Sequence, residues 1–123
     1  MIVHREAVSA FDFEGVSIVD YTAGLPTSSS VAHVTVPTGA RHRRAVSDRS
    51  DKFYVVLAGT LSFDLETTEE TLRHGDLCIV QRGTPFAYEN RGAEPVELLL
   101  VHTPGFDLEA ERFLENPVVP RRS

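Results

Sequence analysis

The sequence predicts an all-β domain, a small antiparallel barrel or sandwich. Between residues 30 and 103, about seven short apolar segments recur at roughly 8–12-residue intervals, the spacing of strands in such folds. Glycines that can form turns separate these segments, at Gly39, Gly59, Gly75 and Gly83. No long helical pattern, repeat or linker interrupts them, so residues 1–123 are expected to form a single domain.

The composition is that of an ordinary globular domain, and it excludes several functional classes. A length of 123 residues is enough for one core but not for two. The net charge of −6 argues against nucleic-acid binding, because affinity for phosphates comes mainly from positive charge. Cys78 is the only cysteine, and the sequence shows neither a signal peptide nor an apolar run of the roughly 18 residues that a membrane span needs. We therefore expect a cytoplasmic protein with neither nucleic-acid nor membrane partners.

The individual segments follow from apolar periodicity and turn residues. Alternation over Ser30–Val36 predicts a strand with His33 on one face and Val34 on the other. Residues 40–51 contain four arginines and are predicted to form a polar loop. Further strands are predicted at residues 52–58, 60–65, 77–80, 86–90 and 96–103.

The C-terminal segment carries a helical pattern. Asp107 can cap a helix in which Ala110, Phe113 and Leu114 share one stripe, and Pro117 would end it. The expected organisation is therefore N-terminal strands and loops at 1–29, a barrel core at 30–105, a short C-terminal helix at 106–116 and a tail at 117–123.

The glycine spacing resembles the two motifs of cupins, G-x5-H-x-H-x3,4-E-x6-G and G-x5-P-x-G-x2-H-x3-N. Gly39 and Gly59 fit the first motif, and Gly75, Gly83 and Asn90 fit the second. The resemblance covers about residues 30–115. It implies a double-stranded β-helix, a jelly-roll-like barrel with an internal pocket, followed by a short helix.

The chain departs from the cupin motifs where the family binds its metal. The four ligand positions hold Ala45, Ser47, Lys52 and Phe86, and Gln81 replaces the motif proline. Iron, manganese, zinc and nickel prefer imidazole, thiolate or carboxylate ligands. We therefore expect neither a metal nor another cofactor.

One alternative keeps a metal site. His42 would move into it if the preceding loop were longer than aligned, and Asp48 or Asp51 would supply the carboxylate. The other interpretation is that these three residues belong to a solvated loop.

Residues of the inward strand faces provide the candidate site. The period of two places Tyr54 on the same face as Lys52, and Tyr88 on the same face as Phe86. The catalytic candidates are His102, Tyr88, His42 and Lys52. The substrate-binding candidates are His33, Tyr54, Phe86, Arg41 and Phe63.

Each candidate also has a structural interpretation. The histidines can be structural residues, the aromatic side chains can be plain core, and the arginine run can be a solvated loop or a subunit contact. Lys52 can be neutralised by an interior acid such as Asp64 or Glu97.

The expected function is metal-independent proton transfer on a small organic molecule held inside the barrel, by isomerisation, epimerisation, cyclisation or elimination. A non-catalytic small-molecule binding module is the main alternative, and a metal-dependent oxygenase with unusual ligands is a further one. We also expect a homodimer, because the apolar strands offer more hydrophobic surface than one pocket can cover.

Overall fold

The computed structural model describes residues 1–118, which form two antiparallel β-sheets packed face to face. The strands are β1 (Phe11–Phe13), β2 (Val16–Asp20), β3 (Ser30–Val36), β4 (Arg41–Ser47), β5 (Asp51–Ala58), β6 (Leu61–Leu65), β7 (Thr68–Leu72), β8 (Leu77–Val80), β9 (Phe86–Glu89), β10 (Val96–Thr103) and β11 (Glu111–Phe113). One sheet has the order β1-β2-β3-β10-β5-β8, and the other has the order β11-β4-β9-β6-β7. Two short 3-10 turns, Arg5–Ala7 and Leu108–Ala110, are the helical elements of the described residues. The predicted all-β class is confirmed.

The alternation of side chains places the core between the sheets. Along β5, Lys52, Tyr54 and Val56 are buried while their neighbours are more exposed, as the period of two predicts. Along β10, His102 lies on the same buried face as Leu98 and Leu100. The inward orientation predicted for these strands is therefore confirmed.

Two of the motif residues have clear structural reasons. Gly59 has a φ of +82°, and a Cβ atom there would lie 2.6 Å from the Pro95 carbonyl oxygen, so no other residue fits without a shift. The side chain of Asn90 is fully buried; its Nδ2 donates to the carbonyls of Val36 (2.9 Å) and Glu94 (2.8 Å). These contacts join the loop after β9 to the end of β3.

The segment predicted as a polar loop at 40–51 is largely a strand, β4. It pairs with β9 on one side and β11 on the other. The pairing shifts register between His42 and Ala45, which indicates a bulge, and this irregularity hides the alternation that would have indicated a strand.

The predicted C-terminal helix is also wrong. Asp107 does cap a turn, accepting a hydrogen bond from the Glu109 amide at 3.0 Å, but the turn ends at Ala110. The chain then extends as β11, which satisfies backbone groups of β4 that would otherwise form an open sheet edge. Most of the predicted tail, from residue 119 onward, lies outside the described residues.

The six-stranded sheet presents a largely apolar outer surface over β5, β8 and β10. We call this the apolar outer face; it consists of Phe53, Val55, Leu57, Leu77, Ile79, Leu99 and Val101. Cross-strand pairing makes it continuous, because Phe53 lies opposite Ile79 and Val55 opposite Leu77.

The described residues contain no helix with the length and apolar composition that a membrane span requires.

Candidate functional site

A cavity of about 320 Å³ lies inside the barrel and is lined mainly by apolar side chains. Its volume is near the lower end of the roughly 300–1,000 Å³ range typical of small-molecule sites. The polar groups that line its wall are His42, Lys52, Tyr54, Tyr88, His102 and Glu111, with Asp20 and Ser30 where it adjoins a second depression. Convergent polar groups in an apolar cavity identify the candidate ligand site.

His42 extends from β4 into this cavity. Its Nδ1 lies 2.7 Å from the Arg43 carbonyl oxygen and therefore donates a proton to it, which fixes the tautomer. Nε2 then carries the lone pair, and no residue among 1–118 forms a hydrogen bond with it. The ring centroid lies 5.0 Å from that of Phe86 and 5.2 Å from that of Tyr88.

The environment of His42 keeps its imidazole neutral. Burial, assisted by the charge of Lys52, lowers its pKa to about 4, although the bond to the Arg43 carbonyl acts in the opposite direction. At neutral pH the side chain is therefore a proton acceptor at Nε2.

Tyr54 and Tyr88 place two phenol groups beside this imidazole. Their ring centroids lie 5.7 Å apart, and both residues line the cavity. Neither hydroxyl has a hydrogen-bond partner among the described residues. Burial raises the pKa of both phenols above the ordinary value, so both remain protonated and can donate hydrogen bonds to a ligand.

Lys52, Glu111 and His102 form a second polar group in the cavity. The Lys52 ammonium donates to Glu111 Oε1 and lies 3.1 Å from His102 Nε2. The Lys52 and Glu111 side chains are only 4% and 6% exposed. Burial lowers the pKa of Lys52, whereas the Glu111 carboxylate opposes this shift. The expectation that an acid neutralises Lys52 is met by Glu111 rather than by Asp64 or Glu97.

This arrangement changes the interpretation of His102. Burial and the neighbouring ammonium lower its pKa to about 3, so it is neutral and its Nε2 accepts from Lys52. The lone pair that a general base needs is already engaged. His102 therefore orients Lys52, contrary to the expectation of a catalytic base.

Phe86 and Phe63 lie beneath the cavity rather than on its wall. Their exposed fractions are 0% and 2%, and their rings pack 6.1 Å apart against Tyr54. They support the two tyrosines from below, so a ligand in the cavity does not touch them. Their predicted role in substrate binding is corrected to one in packing.

The positions that hold the metal in related barrels do not fit a metal here. Lys52 Nζ lies 5.1 Å from the centre of the Phe86 ring, and Ala45 pairs directly with Phe86 across the sheet. A methyl group and a benzyl ring have no donor atom, and an ammonium repels a dication. Lys52 and Phe86 therefore lie side by side, as the glycine spacing of the cupin motifs implies.

The alternative metal site built on His42 does not fit either. Asp48 is on the surface, where its Oδ2 accepts from Arg112 at 2.6 Å, and Asp51 accepts from the Arg82 amide at 2.8 Å. Within residues 1–118, no three of the histidine, cysteine, aspartate and glutamate side chains come together as metal ligands.

Two of the predicted substrate-binding residues lie away from the cavity. His33 is on the outer face of its sheet, where its Nε2 lies 2.8 Å from Glu97 Oε2. Arg41 lies outside the barrel interior, with its guanidinium 3.2 Å from Glu115 Oε2. Both predictions are therefore corrected.

The arginines of β4 form contacts that connect the N-terminal and C-terminal segments to the second sheet. Arg43 pairs with Glu14 at 3.0 Å, donates to the Glu115 carbonyl at 2.9 Å and stacks 3.8 Å above the Phe113 ring. Arg44 pairs with Asp64 at 2.6 Å. The contacts of Arg43 with Glu115 and Phe113 help to hold β11 against β4 and so keep its side chains in the cavity wall.

Sequence reasoning missed Glu111, Phe113 and Asp20. Glu111 and Phe113 alternate around an exposed Arg112, which is a strand signal, but three residues are too short for the period to be recognised. Asp20 ends β2 without a distinctive motif.

Comparison with known proteins places this geometry in a family. The cupin domain model matches residues 32–102, which is more than half of the chain. A search of curated proteins finds no significant match.

Several solved structures share the fold at low sequence identity. A histidine-to-glutamine variant of Streptomyces PAC13 with uridine is 23% identical, with a TM-score of 0.82 over 97% of this chain and 92% of that chain. PAC13 is a nucleoside dehydratase, and two of its tyrosine-to-phenylalanine variants with uridine match equally well. KdgF from Halomonas is 16% identical, with a TM-score of 0.74 over 85% of this chain and 94% of that chain. The match over residues 32–102, together with the two-sheet barrel, shows that this chain belongs to the cupin family.

Proposed function

We propose that this cupin catalyses a proton-transfer reaction of the lyase type on a small organic molecule, without a metal. The observation that carries the proposal is the pairing of an accessible imidazole lone pair on His42 with two unpartnered phenols, Tyr54 and Tyr88. Such a set supplies one proton acceptor and two hydrogen-bond donors in a mainly apolar cavity.

The geometry suits the elimination of water. Nε2 of His42 takes a proton from carbon, the C–O bond of the neighbouring hydroxyl breaks, and a C=C double bond forms. The phenols of Tyr54 and Tyr88 donate hydrogen bonds to the departing oxygen, where negative charge develops. The imidazolium then returns the proton to that oxygen and releases water. Because burial lowers the pKa of His42 to about 4, the imidazole is unprotonated at neutral pH and its Nε2 is available to accept the proton.

A nucleoside is the ligand class that we propose. The aromatic lining of the cavity, which includes Phe11, Phe13 and Phe106, suits a planar ring. PAC13, which has the same fold, is a nucleoside dehydratase and was solved with uridine as one histidine variant and two tyrosine variants. This cavity likewise holds one accessible histidine and two tyrosines.

The test is deuterium exchange and double-bond formation. Uridine and a panel of nucleoside derivatives are incubated with the protein in D2O; proton NMR records exchange at carbon, and ultraviolet absorbance records a new conjugated double bond. For a compound that reacts, we expect His42→Gln to lower the reaction rate by about 10²–10⁴-fold, the usual contribution of a general base. Tyr54→Phe and Tyr88→Phe should each lower it by about 10²-fold, as for removal of one oxyanion donor.

His33→Gln is the matched control, because it changes a histidine on the outer face and should leave the rate unchanged. An undiminished rate in His42→Gln would refute the assignment of the base. Loss of the rate on chelation, with recovery only on adding a dication, would refute a metal-independent reaction.

A non-catalytic binding module is the second candidate. The mainly apolar lining of the cavity favours it, since apolar contact alone can hold a ligand without reaction. Binding of a nucleoside by calorimetry, with neither exchange nor turnover of any compound in the panel, would select this function instead.

A further inference from the structure

The cavity wall carries few full charges, and they nearly cancel. Among residues 1–118, its charged side chains are the Lys52 ammonium and the carboxylates of Glu111 and Asp20. The two imidazoles, His42 and His102, are neutral because burial lowers the pKa of each well below 7. One negative charge is therefore in excess.

The Lys52 ammonium is the single positive charge of the cavity wall, and the Glu111 carboxylate in contact with it balances this charge. An ammonium has three N–H donors. Lys52 directs one to Glu111 Oε1 and another to His102 Nε2. Glu111 Oε2 has no hydrogen-bond partner among the described residues, although the side chain lines the cavity. An anion approaching Lys52 would meet this carboxylate, whereas a hydroxyl or N–H group could donate to it.

Asp20 is a second fixed acceptor. Its Oδ1 accepts from the Thr22 amide at 3.1 Å and from Thr22 Oγ1 at 3.2 Å, and these bonds hold the carboxylate in place. Its Oδ2 has no partner in the part of the chain that the structure describes. The arginines of β4 do not offset these carboxylates, because they pair with acids outside the cavity.

We infer that the cavity selects uncharged polar ligands, and that Glu111 sets this selectivity by neutralising Lys52. The inference rests on the proposed function in taking this cavity as the ligand site. For a nucleoside ligand, the free nucleoside binds and its 5′-monophosphate is rejected. Within the cavity, Glu111 and Asp20 accept hydrogen bonds from ligand hydroxyl and N–H groups.

The first test uses inorganic phosphate and does not depend on the ligand. The protein is titrated with phosphate at pH 6, above the lowered pKa values of His42 and His102, so that neither cavity imidazole carries a charge. The wild type should show no saturable binding by calorimetry. Glu111→Gln leaves the charge of Lys52 without a counter-ion and should bind phosphate at least about tenfold more tightly.

Glu109→Gln is the matched control, since it removes the same charge from an exposed side chain two residues away and should behave as the wild type. Asp20→Asn is a second variant, in case Glu111→Gln does not fold. It keeps the acceptor used by Thr22 and removes the excess negative charge, so it should also gain phosphate affinity. Saturable phosphate binding by the wild type, or equal binding by all four proteins, would overturn the inference.

The second test uses uridine and uridine 5′-monophosphate. The wild type should bind uridine at least about tenfold more tightly than the monophosphate, and Glu111→Gln should reduce or reverse this preference. Equal affinity of the wild type for both compounds would overturn the inference. If the wild type binds neither compound while Glu111→Gln gains phosphate binding, the inference that Glu111 neutralises Lys52 and excludes anions is supported. The proposal of a nucleoside ligand then fails.

Discussion

Removal of Lys52 is expected to destabilise the protein mainly through the partner that it leaves behind. Lys52 and Glu111 are only 4% and 6% exposed, so each charge is separated from water and depends on the other. In Lys52→Met, Glu111 keeps a buried carboxylate without its ammonium. Breaking a buried pair from one side costs about 3–5 kcal/mol, whereas replacing both partners by apolar residues is often close to neutral.

The double variant Lys52→Met/Glu111→Leu should therefore recover most of the stability lost in Lys52→Met. Urea unfolding followed by circular dichroism measures this, with the midpoint converted to free energy at a constant m-value. We expect a coupling energy of about 3 kcal/mol between the two positions. Arg112→Met is a control at an exposed ion pair and should leave the midpoint nearly unchanged. If Lys52→Met lowers the free energy of unfolding by less than about 1 kcal/mol, or if the double variant is less stable than Lys52→Met, the two charges do not depend on each other.

Three further predictions concern pH, a turn and the apolar outer face. The pKa values of His42 and His102 are lowered in the folded protein to about 4 and about 3, so the unfolded chain binds more protons below pH 6.5. Stability should therefore fall as the pH drops from about 6.5 towards 4, by up to about 1.4 kcal/mol per pH unit for each histidine, and unfolding at a series of pH values should show a weaker slope in His42→Gln. Gly59→Ala should cost at least about 2 kcal/mol, because the new methyl group meets backbone at 2.6 Å in addition to the positive φ. Gly24→Ala, with a φ of +75° and open space around it, should lower the urea midpoint less, and an equal loss in both would contradict the steric argument. We propose that a second copy of this chain covers the apolar outer face; sedimentation velocity should show a dimer that Ile79→Asp converts to monomer, and a monomeric wild type at micromolar concentration would exclude this.

The strand faces were predictable because burial on one face of a sheet imposes a period of two on the sequence. That period predicted that Lys52 shares a face with Tyr54, and the resemblance to cupins implied that this face points inward. The same reasoning applied to Phe86 and Tyr88, and all four residues are buried, as is His102. The cupin glycines gave the register that brings Lys52 next to Phe86. The strand faces depend on neighbours along the chain, and the sequence carries such local information directly, whereas the approach of Lys52 to Phe86 followed from the resemblance to cupins.

The placement of His42 could not be read from the same pattern. A bulge in β4 interrupts the alternation between His42 and Ala45, so the run of charged residues carries the pattern of a loop rather than of a strand. The fixed tautomer depends on the Arg43 carbonyl, whose direction follows from the local backbone rather than from residue type.

The residue pattern by itself predicted the all-β class and which residues share a strand face, because periodicity acts locally. The resemblance to cupins added the barrel and the positions whose side chains do not suit a metal. Only the tertiary structure decided which groups operate together in the cavity. Lys52 lies 59 positions from Glu111 and 50 from His102, and no periodicity connects residues so far apart. Lys52 meets His102 because β10 pairs with β5, where the two residues lie opposite each other. Lys52 meets Glu111 because β11 pairs with β4, and Arg43 helps to hold this C-terminal segment against the second sheet.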